Sequence, residues 1–350
     1  MLMIVLAVLA MVCVNALAAS PWGVFSVGMT IPIAIAMGLW LRFVQPGKIT
    51  QVSFVGFGLL IAVIIGGRWV AESSFGRYLH LSPTTLVWAM IIYGFLAAVL
   101  PVWVLLTPRD YLSTFMKVGT ITILALGIII VRPLVEMSAV TEFAFNTAGP
   151  VFAGTLFPFL FITIACGALS GMHAMVSSGT SPKMVEKETQ VRMIGYGGML
   201  MESFVAIMAL AAAVSLSPGI YFSMNTSTAT MNKLAGPETV AAAPCKTTND
   251  PEHHCEKLAE AAVAKLGVTD AQGRKPTPEW DSWDDQGNPK TYTGAEALER
   301  LASDVGEPNV VSRTGGAPTL SVGIAHILHQ IGGGRAMMGF WYHFAIMFEA

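Results

Sequence analysis

Apolar residues run along this chain in long unbroken stretches separated by short polar ones, with none of the strict alternation of a half-buried strand. Windowed hydropathy places seven spans at about 1–19, 23–41, 52–66, 85–106, 112–131, 155–177 and 196–216, and an eighth opens near 337. Runs of this length predict membrane-crossing helices, because a helix satisfies its own backbone hydrogen bonds inside hydrocarbon. Between them, "SP" at Ser20-Pro21, "QPG" at 45–47 and "TPRD" at Thr107–Asp110 read as turns. The expected fold class is all-α, a polytopic helical membrane protein.

The pattern changes near residue 217. Up to about 316 the chain is polar and punctuated by Pro and Gly, as in "KTTNDPEHHCEKLAEAAVAKLG" and "DSWDDQGNPKTYTGAEALERLASDVGEPN". This predicts a transmembrane part over 1–216, a loop domain outside the membrane over 217–316, and a return to the membrane over 317–350. Within the loop, amphipathic helices are expected at 252–266 and 294–305, the latter with Leu298, Leu301 and Val305 on one face.

Composition agrees with the spans: 54% of residues are hydrophobic and 12% charged, against about a quarter charged in soluble domains. A net charge of -2 without a basic cluster points to no nucleic-acid partner and no polybasic lipid patch, leaving the bilayer itself as the surroundings. Loops 42–51, 107–117 and 178–195 carry seven basic residues, whereas 20–22, 67–84 and 132–154 carry three. The seven-charge side is therefore expected to be cytoplasmic, which puts 217–316 on the periplasmic or extracellular side. The first basic residue is Arg42, so the opening run lacks the positive region of a signal peptide and reads as a spanning helix. Because "GFWYHFAIMFEA" stops within an apolar segment, the chain reads as a fragment.

The span "FPFLFITIACGALSGMHAMV" at 157–176 contains Pro158, Gly167, Gly171 and His173. Gly167 and Gly171 form a small-xxx-small pattern that lets a neighbouring helix approach closely. The same residues, clustered with Thr163, Cys166, Ser170 and His173, also suit a helix broken at mid-membrane, whose free backbone groups bind a substrate or ion. Spacing alone leaves both readings open. Glu202, Glu349 and His173 are ionisable residues within spans, where charge costs about 2.5–3.5 kcal/mol on insertion scales. They suit proton handling, or structural hydrogen bonds between helices. His326 and His329 share a helix face, but no carboxylate or Cys stands near them in sequence, and His343 reads with them as a packing or interfacial residue. Cys245 and Cys255, ten positions apart in the external loop, are disulfide candidates, with free thiols or a metal site as alternatives. No nucleotide-binding loop, Gly-x-Ser-x-Gly or His-Glu-x-x-His grouping occurs, so neither an ATP-driven pump nor a hydrolase is indicated, and no cofactor or metal is expected.

Several stretches carry a family resemblance: "SPWGVF" at 20–25, "LPVWVLLTPRDYLSTFMK" at 100–117, "FPFLFITIACGALSGMHAMVSSGTSPK" at 157–183, "RMIGYGGMLMESFVAIMAL" at 192–210, "GGAPTLSVGIAHI" at 315–327 and "GFWYHFAIMFEA" at 339–350. They resemble the carbon starvation protein CstA family of bacterial inner-membrane permeases. The resemblance implies uptake of peptides or pyruvate during carbon starvation, with protons as the coupling ion. It also implies a LeuT-like core of two inverted repeats, each with one broken helix. On that footing the broken-helix reading of 157–176 leads, with Thr163, Ala165, Cys166, Gly167, Ser170 and Gly171 as substrate-binding candidates and His173 and Glu202 as proton-coupling candidates. A membrane sensor that binds a ligand through its external loop is the alternative.

Overall fold

The computed structural model describes residues 2–18, 20–44, 49–101, 103–151, 154–160, 174, 177–179, 181–242, 254–284, 286–331 and 334–349. Its helices are α1 (Leu2–Leu17), α2 (Pro21–Leu39), α3 (Ile49–Glu72), α4 (Gly76–Leu79), α5 (Pro83–Val99), α6 (Leu106–Val131), α7 (Ser181–Met184), α8 (Glu188–Val214), α9 (Pro218–Asn225), α10 (Thr228–Ala235), α11 (Pro237–Ala242) and α12 (His254–Val263). Strands β1 (Glu279–Trp283) and β2 (Pro289–Thr293) follow, then α13 (Ala295–Val305), α14 (Ala317–Leu328) and α15 (Gly334–Glu349). Among the described residues four stretches are long and apolar enough to cross a membrane: Pro21–Val44, Gln51–Glu72, Thr107–Val131 and Glu188–Val214. Broad apolar faces of α5 and α8 are exposed, among them Trp88, Ile91, Phe95, Ile194, Leu200 and Leu210. Such faces suit lipid as solvent, and the chain is membrane-integral.

Local chemistry starts these helices. Ser20, Ser82 and Ser217 each accept a backbone N–H of the first turn, and Pro21, Pro83 and Pro218 follow at a position whose N–H has no helical partner. The expected turn at Thr107–Asp110 is instead part of the first turn of α6, where Pro108 is tolerated for the same reason.

The all-α expectation is corrected in the loop segment. β1 and β2 pair antiparallel from Glu279↔Thr293 to Trp283↔Pro289. Asp284 closes the hairpin by accepting N–H groups of Gln286 and Asn288, and Gly287 supplies the positive φ of 85° that the turn needs.

Helix α15 organises the packing. Met338, Tyr342 and Ile346 face one apolar cluster, Phe344 and Met347 a second with Ile33, Leu60 and Met116, and Ala345 a third with Leu124 and Ile327. A helix apolar on every side belongs inside. The first cluster joins Val14, Leu86 and Val322 to Ile220, Leu258, Trp280, Leu298 and Leu301, so the 217–316 segment shares its core with α1, α5, α14 and α15. Leu298, Leu301 and Val305 are fully buried, on the face the spacing predicts. Leu301→Ala is expected to cost about 2–5 kcal/mol through lost burial and a residual cavity. A denaturation midpoint of the detergent-solubilised protein checks this, and an unshifted midpoint would show that the site collapses around alanine.

Candidate functional site

A buried polar cluster lies where α1, α2, α13 and α15 meet. It begins with a helix end. Gly306 closes α13 in the left-handed conformation, and the Glu307 N–H bonds back to the Ala302 carbonyl at 2.9 Å. The turn carries the Glu307 side chain inward, where it is 1% exposed. Ser20 Oγ donates to Glu307 Oε1 at 2.6 Å while accepting the Gly23 N–H at 3.0 Å, so one hydroxyl caps α2 and holds the carboxylate. On the other side Arg313 Nη2 donates to Glu307 Oε2 at 3.1 Å. The same guanidinium donates to the Ala16 carbonyl at the end of α1, at 3.3 Å, and to the Asn309 carbonyl at 3.0 Å. Burial pushes the Glu307 carboxyl above its ordinary value of 4.5, against the opposing pull of Arg313 and the Ser20 hydrogen bond. Desolvation outweighs the ion pair because the carboxylate has almost no water left around it.

His343 completes the cluster. It is fully buried, its Nδ1 lies 4.0 Å from Glu307 Oε1, and the Val305 backbone stands beside the ring. The imidazole stacks on Trp22 with ring centroids 3.9 Å apart and planes 26° apart. Trp22 Nε1 is committed to the Ile64 carbonyl at 2.9 Å. Gly306 and Gly339 cradle the indole: a Cβ at Gly306 would stand 2.8 Å from it, and one at Gly339 3.2 Å. Trp22, Gly306 and Gly339 also line a cavity of about 680 Å³ with Arg68, Glu72 and Asp304. The Trp22–His343 stack thus lies between an open cavity and a buried ion pair.

A second cavity of about 410 Å³ lies between the hairpin and the ends of α6 and α14, lined by Arg132, Glu136, Asp281, Trp283, His326 and His329 among others. His329 donates from Nδ1 to the Ala325 carbonyl at 3.1 Å and meets Trp283 edge-on, with ring centroids 5.4 Å apart. His326 lies 5.1 Å from Trp280 and keeps a buried Nδ1 without a partner. The two histidines share a face as their spacing predicts, 5.6 Å between centroids. Among the described residues no group of three His, Cys, Asp or Glu side chains is placed to hold a metal ion.

Of the residues singled out from sequence, Thr163, Ala165, Cys166, Gly167, Ser170, Gly171, His173 and Cys245 lie outside the described residues. Glu202 is exposed on α8, and Glu349 is the last residue of α15. Cys255 is buried at the start of α12 and disulfide-bonded. Ser20, Trp22, Glu307 and Arg313 are the members that sequence reasoning missed. Glu307 and Arg313 stand in a polar stretch that reads as solvated; the available signal was Gly306 after an amphipathic helix, which marks a turn with the next residue packed back on it.

The carbon starvation protein CstA family model matches residues 1–278 and 281–350. The chain belongs to this family. It is 52% identical over 348 residues to a peptide transporter CstA of Mycobacterium tuberculosis, covering 99% of this chain and 40% of that protein. It is 49% identical to a peptide transporter CstA of Escherichia coli, covering all of this chain and 44% of the relative. It is also 47% identical over 350 residues to the pyruvate/proton symporter BtsT of Escherichia coli, covering 46% of that relative. The chain therefore spans less than half the length of these family members. No solved structure matches it. The family resemblance carried by the six quoted stretches is thus shown over nearly the whole chain, most of the 217–316 segment included.

Proposed function

We propose that this chain forms part of a secondary active transporter that takes up peptides or small carboxylates of the pyruvate type, coupled to protons, by alternating access. The observation that carries the proposal is the match of the whole chain, at about half identity, to relatives named as peptide transporters and as a pyruvate/proton symporter. The helices long and apolar enough to cross a membrane supply the setting. In this reading the protein resides in the bacterial inner membrane with 217–316 on the periplasmic side, and its core is a LeuT-like inverted repeat. The broken helix at 157–176 supplies the substrate site through Thr163, Ala165, Cys166, Gly167, Ser170 and Gly171. His173 and Glu202 take part in proton handling. Cys255 pairs with Cys245, as an oxidising compartment favours. No observation favours the sensor reading.

The test is uptake of labelled pyruvate and of a labelled dipeptide by transporter-deficient cells expressing the gene that encodes this chain, with and without an uncoupler. Uncoupler-sensitive entry of one substrate is expected, and entry of neither defeats the proposal. Gly167→Trp is expected to abolish that uptake without reducing the amount of protein in the membrane, because an indole fills the gap between the half-helices. Unchanged uptake in Gly167→Trp would remove the broken-helix site from the proposal.

A further inference from the structure

We propose that Glu307 is a proton-binding carboxylate of the transport cycle, reached from the 680 Å³ cavity through His343, with Arg313 as its counter-charge. This rests on the transport reading above and assigns its proton a site in the described structure.

A buried charged pair gains little over apolar residues of similar volume, so its presence in a core asks for a role. Among the described residues the cationic partner of Glu307 is Arg313, and that guanidinium also donates to the carbonyls of Ala16 and Asn309. The remaining polar groups facing it are the Ser20 hydroxyl from the α1–α2 corner and His343 from α15, with the Tyr342 phenol close enough to feel the Glu307 charge. From α13, Asp304 is turned away, bound to Trp280 Nε1 and Ser282 Oγ and ion-paired with Arg300. From α3, Arg68 and Glu72 pair with each other at the cavity wall, at 3.3 Å.

His343 is placed between the two compartments. Its Nδ1 faces Glu307, and its Nε2 lies 3.8 Å from the position a Cβ at Gly306 would occupy, on the side of a glycine that lines the cavity. The imidazole is fully buried, with the Val305 backbone and the Trp22 indole against it. The Trp22 N–H is already held by Ile64, so the indole closes the passage and cannot conduct the proton. In the step itself a hydronium in the cavity gives its proton to His343 Nε2 and becomes water. The imidazolium gives the proton on Nδ1 to Glu307 Oε1, and the carboxylate becomes a neutral carboxyl.

Neutralisation has a mechanical consequence. Glu307 and Arg313 together tie the end of α1, through Ala16, and the start of α2, through Ser20, to the α13–α15 side. Protonation removes the charge that holds this tie, so the two protonation states favour different placements of the α1–α2 corner. An occupant that binds two arrangements unequally is what shifts their populations.

Glu307→Gln mimics the neutral carboxyl and keeps an acceptor for Arg313. A carboxyl whose value is raised by folding favours the fold when neutral; that contribution is fully present below pH 4.5 and is lost as pH rises through the raised value, so the glutamine variant is expected to fold. Cells expressing the gene are given an outside-acid pH gradient of about one unit, which supports about tenfold accumulation per coupled proton. The expected result for Glu307→Gln is accumulation reduced to about the ratio at equilibrium, with substrate exchange across the membrane retained. His343→Gln is expected to slow proton-driven entry by at least about a hundredfold, the lower end for loss of a positioned acid–base group. Glu307→Gln that still accumulates, or that loses exchange and accumulation together while correctly inserted, overturns the proposal, as does an unslowed His343→Gln. An infrared pH titration of the purified protein reads the same carboxyl without transport: a neutral carboxyl band persisting above pH 4.5 and missing from Glu307→Gln supports the assignment, and its absence from the parent protein overturns it. A parent protein that carries neither pyruvate nor dipeptide defeats the transport reading instead, which the infrared result distinguishes.

Discussion

Arg313→Met is expected to lower the stability of the purified protein by about 3–5 kcal/mol near pH 8, because it leaves Glu307 buried without the counter-charge that Arg313 supplies. The loss has three parts. The carboxylate loses its salt bridge, the Ala16 carbonyl at the end of α1 loses a donor, and the Asn309 carbonyl loses another. The first part depends on pH. Removing the guanidinium raises the folded value of Glu307 further above 4.5, since the attraction that opposed desolvation is gone. A raised carboxyl stabilises the fold below its unfolded value and ceases to do so as pH rises through the folded one. The variant is therefore expected to regain stability as pH falls from 8 towards 5, by taking up a proton in place of the missing arginine. Glu307→Leu/Arg313→Met is expected to be far more stable than the single variant near pH 8, and to show a flatter pH profile. Thermal unfolding in detergent across this range measures all three proteins. A single variant no less stable than the double one would mean that water reaches Glu307 and that the pair contributes through exposure rather than burial.

Hydropathy reads what an average over about twenty residues can hold. The helices at Pro21–Leu39, Ile49–Glu72 and Glu188–Val214 were legible for that reason, because each fills such a window. The same averaging blurs a boundary between two apolar pieces. The expected span 85–106 runs across Pro101 into the start of α6, since "LPVWVLL" is apolar throughout and only the proline marks the break between Val99 and Leu106. The bounds of helix α14, whose His326 and His329 read as sharing a face, escaped because it has twelve residues and carries Thr319, Ser321 and His326. The hairpin escaped because each strand has five residues, with Asp281, Thr291 and Thr293 pointing outward. Its signal was short: Trp280, Ser282 and Tyr292 buried at alternate positions, around an Asp284 to Gly287 turn. The amphipathic helix at Ala295–Val305 was legible because Leu298, Leu301 and Val305 repeat at helical spacing whatever they pack against.

The buried cluster was illegible for a different reason. Charge in a polar stretch reads as solvated, and nothing local distinguishes Glu307 from Glu299, which stands on the same helix-to-turn segment. What buries Glu307 is the arrival of Ser20 from 287 positions earlier and His343 from a later helix. Neither contact has a local pattern. The histidine itself was visible, and a packing role described it only in part, since its stacking partner Trp22 and its neighbour Glu307 come from opposite ends of the chain.

Close helix packing gives the last large effect. Gly323→Val is expected to prevent α14 from docking on α8 while leaving the membrane insertion of α8 intact. A Cβ at Gly323 would stand 2.4 Å from the Ala212 carbonyl oxygen and 2.8 Å from its carbon, and these are backbone atoms that no rotamer change moves aside. Ala212 is itself fully buried, so the two helices touch through their smallest residues, as helices do where backbones must approach closely. Overpacking a core costs about 1–3 kcal/mol when side chains yield, and more where backbone must move. The displaced surface includes Ile324, Ile327 and Leu328, which pack with Ala212, Leu124 and Ala345, so α15 loses part of its support as well. Because a spanning helix such as α8 inserts by hydrophobicity and is joined by its neighbours through packing, the two steps separate in this variant. Protease protection of the inserted segments is expected to match the parent, whereas the detergent-solubilised protein is expected to aggregate at a temperature well below it. Gly323→Ala places one carbon at the same clash and is expected to fall between them. A valine variant as heat-stable as its parent would show that α14 and α8 hold together without this contact, and the third apolar cluster would then owe its order to α15 alone.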